Sequence, residues 1–156
     1  CALPIFPFIF DPGQGLPMFN GEELLDFIDK AAWITVNDYE WQLLQERTGL
    51  APHAAAERVR ALIITRGGDG SVIYTSSKRI EIPAVRNTAT EDPTGCGDAY
   101  RAGLLFGLMH DLDWETTGRI ASLMGALKIA QAGTQNHIFT LQEFADRFKD
   151  EYGYSF

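Results

Sequence analysis

Three short apolar runs set the architecture: Ile5–Phe10, Trp33–Val36 and Ala61–Thr65. Each is too short for an ordinary helix and has almost no polar position to turn toward water. Runs of this kind fit strands buried on both faces, the habit of parallel sheets. The segments between them are helical in spacing. Asn20 is placed to cap the first, with Glu22 and Glu23 in the first turn, where the helix dipole favours acids. Leu24, Leu25, Phe27 and Ile28 then follow at helical intervals. Asn37 or Asp38 opens a second helix that carries Trp41, Leu43 and Leu44 and ends at Gly49, and His53–Val59 reads as a shorter third. Strand, helix, strand, helix, strand is the rhythm of a parallel sheet covered by helices, so the class is α/β.

Beyond the third run the pattern changes. Gly67-Gly68-Asp69-Gly70 makes a glycine turn, and Ser71–Thr75 with Arg79–Ile82 predicts a hairpin around Ser76-Ser77-Lys78. Gln14–Phe19 and Val85–Pro93 read as irregular. Helices are predicted over Asp98–His110 and Trp114–Ala130, the latter with Ile120, Leu123, Met124 and Leu127 on one stripe. Thr140 caps a last helix through Tyr152, with Glu143 three residues on as a capping box. Neither an internal repeat nor a low-complexity linker interrupts the chain.

Length and charge limit the function. A chain of 156 residues fits one domain and can bury about two-thirds of its unfolded surface without a disulfide or metal staple. Twenty-one acidic against 13 basic side chains give a net charge of −8. That argues against a nucleic-acid binder, because each neutralised phosphate needs a cation. A nucleotide site built from backbone amides stays open. The two cysteines, Cys1 and Cys96, make no disulfide framework, which points to a reducing cytoplasm. The sequence lacks an apolar run of the roughly 20 residues that a membrane span needs. Ala2–Phe10 lacks a basic start and reads as a buried strand rather than a signal peptide. The chain begins with Cys rather than Met, so upstream sequence is expected.

The segment richest in chemistry is Asp92-Pro93-Thr94-Gly95-Cys96-Gly97-Asp98, followed by Ala99, Ala102, Gly103 and Gly107. Gly95 and Gly97 let the backbone turn tightly and approach a ligand. The helix that follows turns its unpaired N–H groups and positive dipole end toward the loop, a combination that binds anions without a cationic side chain. Asp98 beside such a hole can take a proton from a substrate hydroxyl while the amides stabilise a transferring phosphoryl group. It can equally be a plain helix N-cap. The small residues after it imply close packing on a sheet. His53, His110 and His137 have no metal-binding spacing. Cys96 sits at a helix start, which lowers a thiol pKa, but without a nearby His it reads as loop filler. Trp33, Trp41 and Trp114 read as core contacts.

Asp92 through Leu105 resembles the C-terminal signature of the ribokinase-like (PfkB) carbohydrate kinases, with Cys96 at the family's usual alanine. Two further segments resemble the family in the right order: Asn37-Asp38-Tyr39-Glu40, like its Asn-x-x-Glu motif, and Thr65-Arg66-Gly67-Gly68-Asp69-Gly70, like its Thr-x-Gly-x-x-Gly turn. The wording of Phe10–Gln14 and Gly133–His137 is most like bacterial adenosine-kinase-type members.

The resemblance implies a three-layer sandwich with a mostly parallel central sheet. Residues 1–156 would be its C-terminal, ATP-binding and catalytic portion, without the N-terminal half and its β lid. Asp98 would be the catalytic base, and Gly95, Cys96 and Gly97 the anion hole. Asn37, Thr65, Gly67, Gly70, Gly97 and Ser122 would line ATP. Glu40 would reach magnesium through water. Asp92, Thr94 and Gly133, with Lys128, Gln131 and His137, fall where a monovalent cation such as K+ binds largely through backbone oxygens.

The implied activity is ATP-dependent phosphotransfer to a hydroxyl of a sugar or nucleoside. Neither a nucleic acid nor a membrane is an expected partner. Without its lid the chain alone is expected to be inactive and unable to associate through that lid. A non-catalytic nucleotide-binding or regulatory module is the alternative. A dinucleotide oxidoreductase is disfavoured, because Gly-x-Gly-x-x-Gly does not follow the first strand.

Overall fold

The computed structural model describes residues 6–86 and 88–156. Its strands are β1 (Ile9–Phe10), β2 (Trp33–Asn37), β3 (Ala61–Thr65), β4 (Ser71–Tyr74) and β5 (Arg79–Ile82), joined in one sheet in chain order. β1, β2 and β3 run parallel, with Phe10 opposite Ile34 and Asn37 opposite Thr65. β4 returns antiparallel to β3, pairing Ser71 with Thr65. The chain divides into two compact units, the first ending at Glu81 and the second spanning Ile82–Phe156.

In the first unit the helices are α1 (Gly21–Lys30), α2 (Asp38–Thr48) and α3 (Pro52–Ala56). Asn20 and Asn37 each cap a helix and exchange bonds with a Glu three residues on. Gly49 ends α2 with φ of 72°, a left-handed turn that glycine adopts without strain. Leu24, Ile28 and Leu44 pack with Ile34, Leu62 and Ala55 in one core. Thr35 and Ile63, which alternate with those strand residues, are buried as well. That double burial is why β2 and β3 read as continuous apolar runs.

Two expectations change here. The first strand shortens to Ile9–Phe10 (its predicted start, Ile5, lies outside the described residues). Pro7, within the expected run, has no N–H to give a ladder. Gln14–Phe19 is not irregular: Gly13–Met18 forms a 3-10 helix. The Arg47 guanidinium holds it, donating to the carbonyls of Leu16 (3.2 Å), Pro17 (3.0 Å) and Phe19. An anchor so far along the chain leaves no local signal.

The second unit holds α4 (Cys96–Met109), α5 (Trp114–Ile129) and α6 (Leu141–Tyr152). The small residues of α4 serve a helix rather than a sheet. A Cβ on Gly103 would lie 2.5 Å from Ala121 Cα, and one on Gly107 would lie 2.4 Å from Thr117 Oγ1. α4 and α5 therefore approach to backbone contact. Phe144 and Phe148 of α6 pack with Ile120 and Leu123 of α5. Arg119 lies over the rings of Tyr152 and Tyr154, at 5.3 and 5.4 Å. Among the described residues, no helix is long and apolar enough to cross a membrane.

Candidate active site

In the first unit, parallel pairing places the carboxyl ends of β2 and β3 side by side, with Asn37 in register with Thr65. Ligands of open α/β sheets bind at that edge. Asn37, Glu40, Thr65, Gly67 and Gly70 thus gather there. Asn37 Oδ1 accepts the Glu40 N–H at 2.8 Å, and Glu40 Oε2 accepts the Asn37 N–H at 2.8 Å. The motif is therefore a capping box. Asn37 Nδ2 and Glu40 Oε1 take no part in the exchange and remain available to a ligand. Thr65 Oγ1 donates to Val36 O at 3.4 Å. The Arg66 N–H donates to Gly70 O at 2.7 Å and closes the glycine turn. Gly67 and Gly70 have φ of 55° and 80°. A Cβ at Gly67 or Gly68 would meet nothing within 4 Å, so the turn presents bare backbone.

The second unit holds the anion loop. α4 begins at Cys96, two residues earlier than expected, with Gly95 as its cap at φ of 84°. Gly95 is also a close approach, since a Cβ there would come 3.3 Å from Thr134 O. The Cys96 N–H donates to Pro93 O at 3.1 Å, so it is engaged within the loop. The amides of Gly97 and Asp98 lie in the first helical turn, where an intrahelical acceptor does not exist. Of the three amides expected to form the anion hole, that of Cys96 is therefore engaged and that of Gly97 has no intrahelical acceptor. Burial pushes the Cys96 thiol upward, against the lowering expected at a helix start.

Asp98 does not cap the helix, because Gly95 holds that position. Its side chain is 87% exposed and meets Arg101 Nη1 at 3.1 Å, one turn on. Arg101 also lies over Gly97, where a Cβ would be 3.0 Å from Nη1. An exposed carboxylate, helix amides without an intrahelical acceptor and the guanidinium paired with that carboxylate therefore share one helix start.

Asp92 ties the loop to the chain beyond α5. Its Oδ1 accepts the Thr94 N–H and its Oδ2 the Gly133 N–H, each at 2.9 Å. Bonds from Thr94 and Gly133, with the charge of Lys128, hold its carboxyl down at about 2. Lys128 is fully buried, and its Nζ donates to Asp92 O at 2.6 Å and to Gln131 O at 3.2 Å. Nothing in the residue pattern singles this out, since a lysine in the last turn of a helix ordinarily answers the dipole from the surface.

The expected ion sites differ in fit. A magnesium ion carried on nucleotide phosphates keeps most of its waters and needs few protein oxygens. Glu40 Oε1 suits a water of such an ion, whose charge would neutralise phosphate. A monovalent cation among Asp92, Thr94 and Gly133 fits poorly. The Asp92 carbonyl and both its carboxylate oxygens already accept hydrogen bonds, and the buried Lys128 ammonium beside them would repel a second cation. Ser122 is not brought to the loop. It lies six residues before Lys128 on α5, about 9 Å along the axis, and its hydroxyl donates to Pro83 O at 3.1 Å. His137 Nδ1 is buried without a hydrogen-bond partner.

The family model of the pfkB family carbohydrate kinases matches residues 9–140. A nucleoside kinase of Methanocaldococcus jannaschii is 36% identical over 140 residues, covering 90% of this chain and 46% of the relative. One from Methanothermobacter thermautotrophicus is 33% identical over 146 residues, 93% of this chain and 47% of the relative. The nucleoside kinase of Burkholderia thailandensis, in complex with inosine, superposes with a TM-score of 0.93 at 53% identity, over 96% of this chain and 50% of that one. This chain spans about half the length of these relatives. With the three motifs in place and the match running through both units, the chain belongs to the pfkB family of carbohydrate kinases and has their ribokinase-like α/β fold.

Proposed function

We propose that the whole protein transfers the γ-phosphoryl group of ATP to a hydroxyl of a nucleoside. Asp98 takes the hydroxyl proton as the oxygen attacks phosphorus, the bond to ADP breaks, and ADP and a nucleoside monophosphate result. The Gly97 and Asp98 amides stabilise the charge on the transferring group. Gly67, Gly70, Thr65 and Asn37 lie along the nucleotide, and Glu40 would hold, through water, a magnesium ion whose charge would offset that of the phosphates.

One observation carries the reading: Asp98 stands in the first turn of α4 without capping it, its carboxylate exposed beside amides that have no intrahelical partner. The choice of nucleoside over sugar is supported by the Burkholderia enzyme, two of whose structures are complexes with inosine and with ADP-inosine. The test is ADP release by the whole protein with ATP and magnesium, offered inosine, adenosine, ribose or fructose, with products identified by mass. Phosphorylated nucleoside is expected, and Asp98→Asn is expected to lose turnover while retaining ATP binding. Turnover confined to the sugars would overturn the substrate class. Undiminished turnover by Asp98→Asn would overturn the base.

A further inference from the structure

We propose that Lys128 is a built-in monovalent cation: its buried ammonium, not a bound metal ion, gathers the backbone oxygens beneath the anion loop. The proposal rests on the kinase reading only for the loop's role. The geometry stands apart from it.

Lys128 is 0% exposed, and an ammonium so placed must find its partners inside the protein. It finds carbonyls from two stretches of chain, Asp92 O at 2.6 Å and Gln131 O at 3.2 Å. The same stretches are cross-linked around it. The Glu91 and Asp92 N–H groups both donate to Ile129 O, at 2.8 and 3.1 Å, and the Gly133 N–H donates to Asp92 Oδ2. Carbonyl oxygens collected by a single positive charge are the surroundings of a bound alkali ion. Here the charge arrives on a four-carbon stem and cannot dissociate.

The ammonium fixes residue 92, from which the chain runs through Thr94 and Gly95 to the free amides of Gly97 and Asp98. It also fixes residue 131, just before Gly133 and Thr134, and the Thr134 backbone lies where a side chain on Gly95 would have to go. Lys128 is thus a positioning residue. It touches no reacting atom and sets the loop that does.

The chain is melted in choline, sodium, potassium and ammonium chloride at equal ionic strength. The wild type is expected to melt at one temperature in all four. A rise in potassium over sodium and choline would overturn the proposal, and this series needs no variant. Lys128→Gly removes the ammonium and opens room for an ion. It is expected to melt lower in choline and to recover in ammonium or potassium, a response that a purely structural methylene stem would not give. Lys128→Met retains most of the stem and is expected to melt lower without recovery. A Lys128→Met chain that melts like the wild type would also overturn the proposal. Absence of ATP turnover by the whole wild-type protein would fail the kinase reading alone, because the melting series does not use it.

Discussion

At the scale of single residues, the loop depends on what each carboxylate is already doing. Asp98 is exposed to solvent, whereas both oxygens of Asp92 are spent on amides. The Asp92 carboxyl is held down at about 2 in the folded chain, against about 3.9 for an unperturbed aspartate. A depressed pKa means that the unfolded state takes up the proton first. The contribution is therefore complete above about pH 4 and lost as pH falls through about 2. Melting temperatures of the wild type and Asp92→Asn, compared between about pH 2 and 6, should differ most at the upper end and converge at the lower. A constant gap would mean that the carboxylate charge does not hold the clasp. The sequence made Asp98 and its glycines legible, because backbone freedom before a helix start is a local property. It could not reveal that the Cys96 amide is engaged or that Ser122 faces Pro83, since those facts depend on partners placed by the fold.

At the scale of elements, helix limits written in capping residues were the most readable. Thr140 closes the predicted box, and Asn20 and Asn37, read only as helix starts, form the same box, because cap and Glu are three residues apart in sequence. The 3-10 segment was not readable, because Arg47 anchors it from α2. The glycines of α4 point in sequence to a close approach, yet Gly103 and Gly107 meet α5 rather than the sheet, since a small residue announces a close approach without naming what approaches. Two glycines of the α4–α5 pair give opposite predictions. Gly103→Ala puts a methyl 2.5 Å from Ala121 Cα, which is backbone and cannot swing aside, so it should destabilise by about 1–3 kcal/mol. Gly125→Ala meets only Cys96 O at 3.9 Å, an ordinary contact, and should stabilise by about 0.5–1 kcal/mol through helix propensity. Urea midpoints of the two variants should move in opposite directions. A shift of the same sign in both would mean that the spacing of α4 and α5 does not decide the outcome.

At the scale of the whole molecule, a net charge of −8 and the nucleotide proposed as its ligand set a problem in electrostatics. A site that held phosphate with lysines would lose affinity steeply as salt rose, because each phosphate contact releases a counterion. The loop at Gly95–Asp98 offers amides of a helix start, and its nearest side-chain cation, Arg101, already faces Asp98. Short-range donation from fixed N–H groups is screened little, whereas the repulsion between an acidic chain and a nucleotide acts over distance and is screened within about 10 Å at 0.1 M salt. Raising sodium chloride from about 20 to 200 mM should therefore leave ADP affinity unchanged or strengthen it up to a few-fold. Calorimetric titration of ADP into this chain at several salt concentrations makes the check. A tenfold loss of affinity over that range would mean that side-chain cations such as Arg101 hold the phosphates. An unchanged or rising affinity would mean that an acidic chain binds an acidic ligand through its backbone.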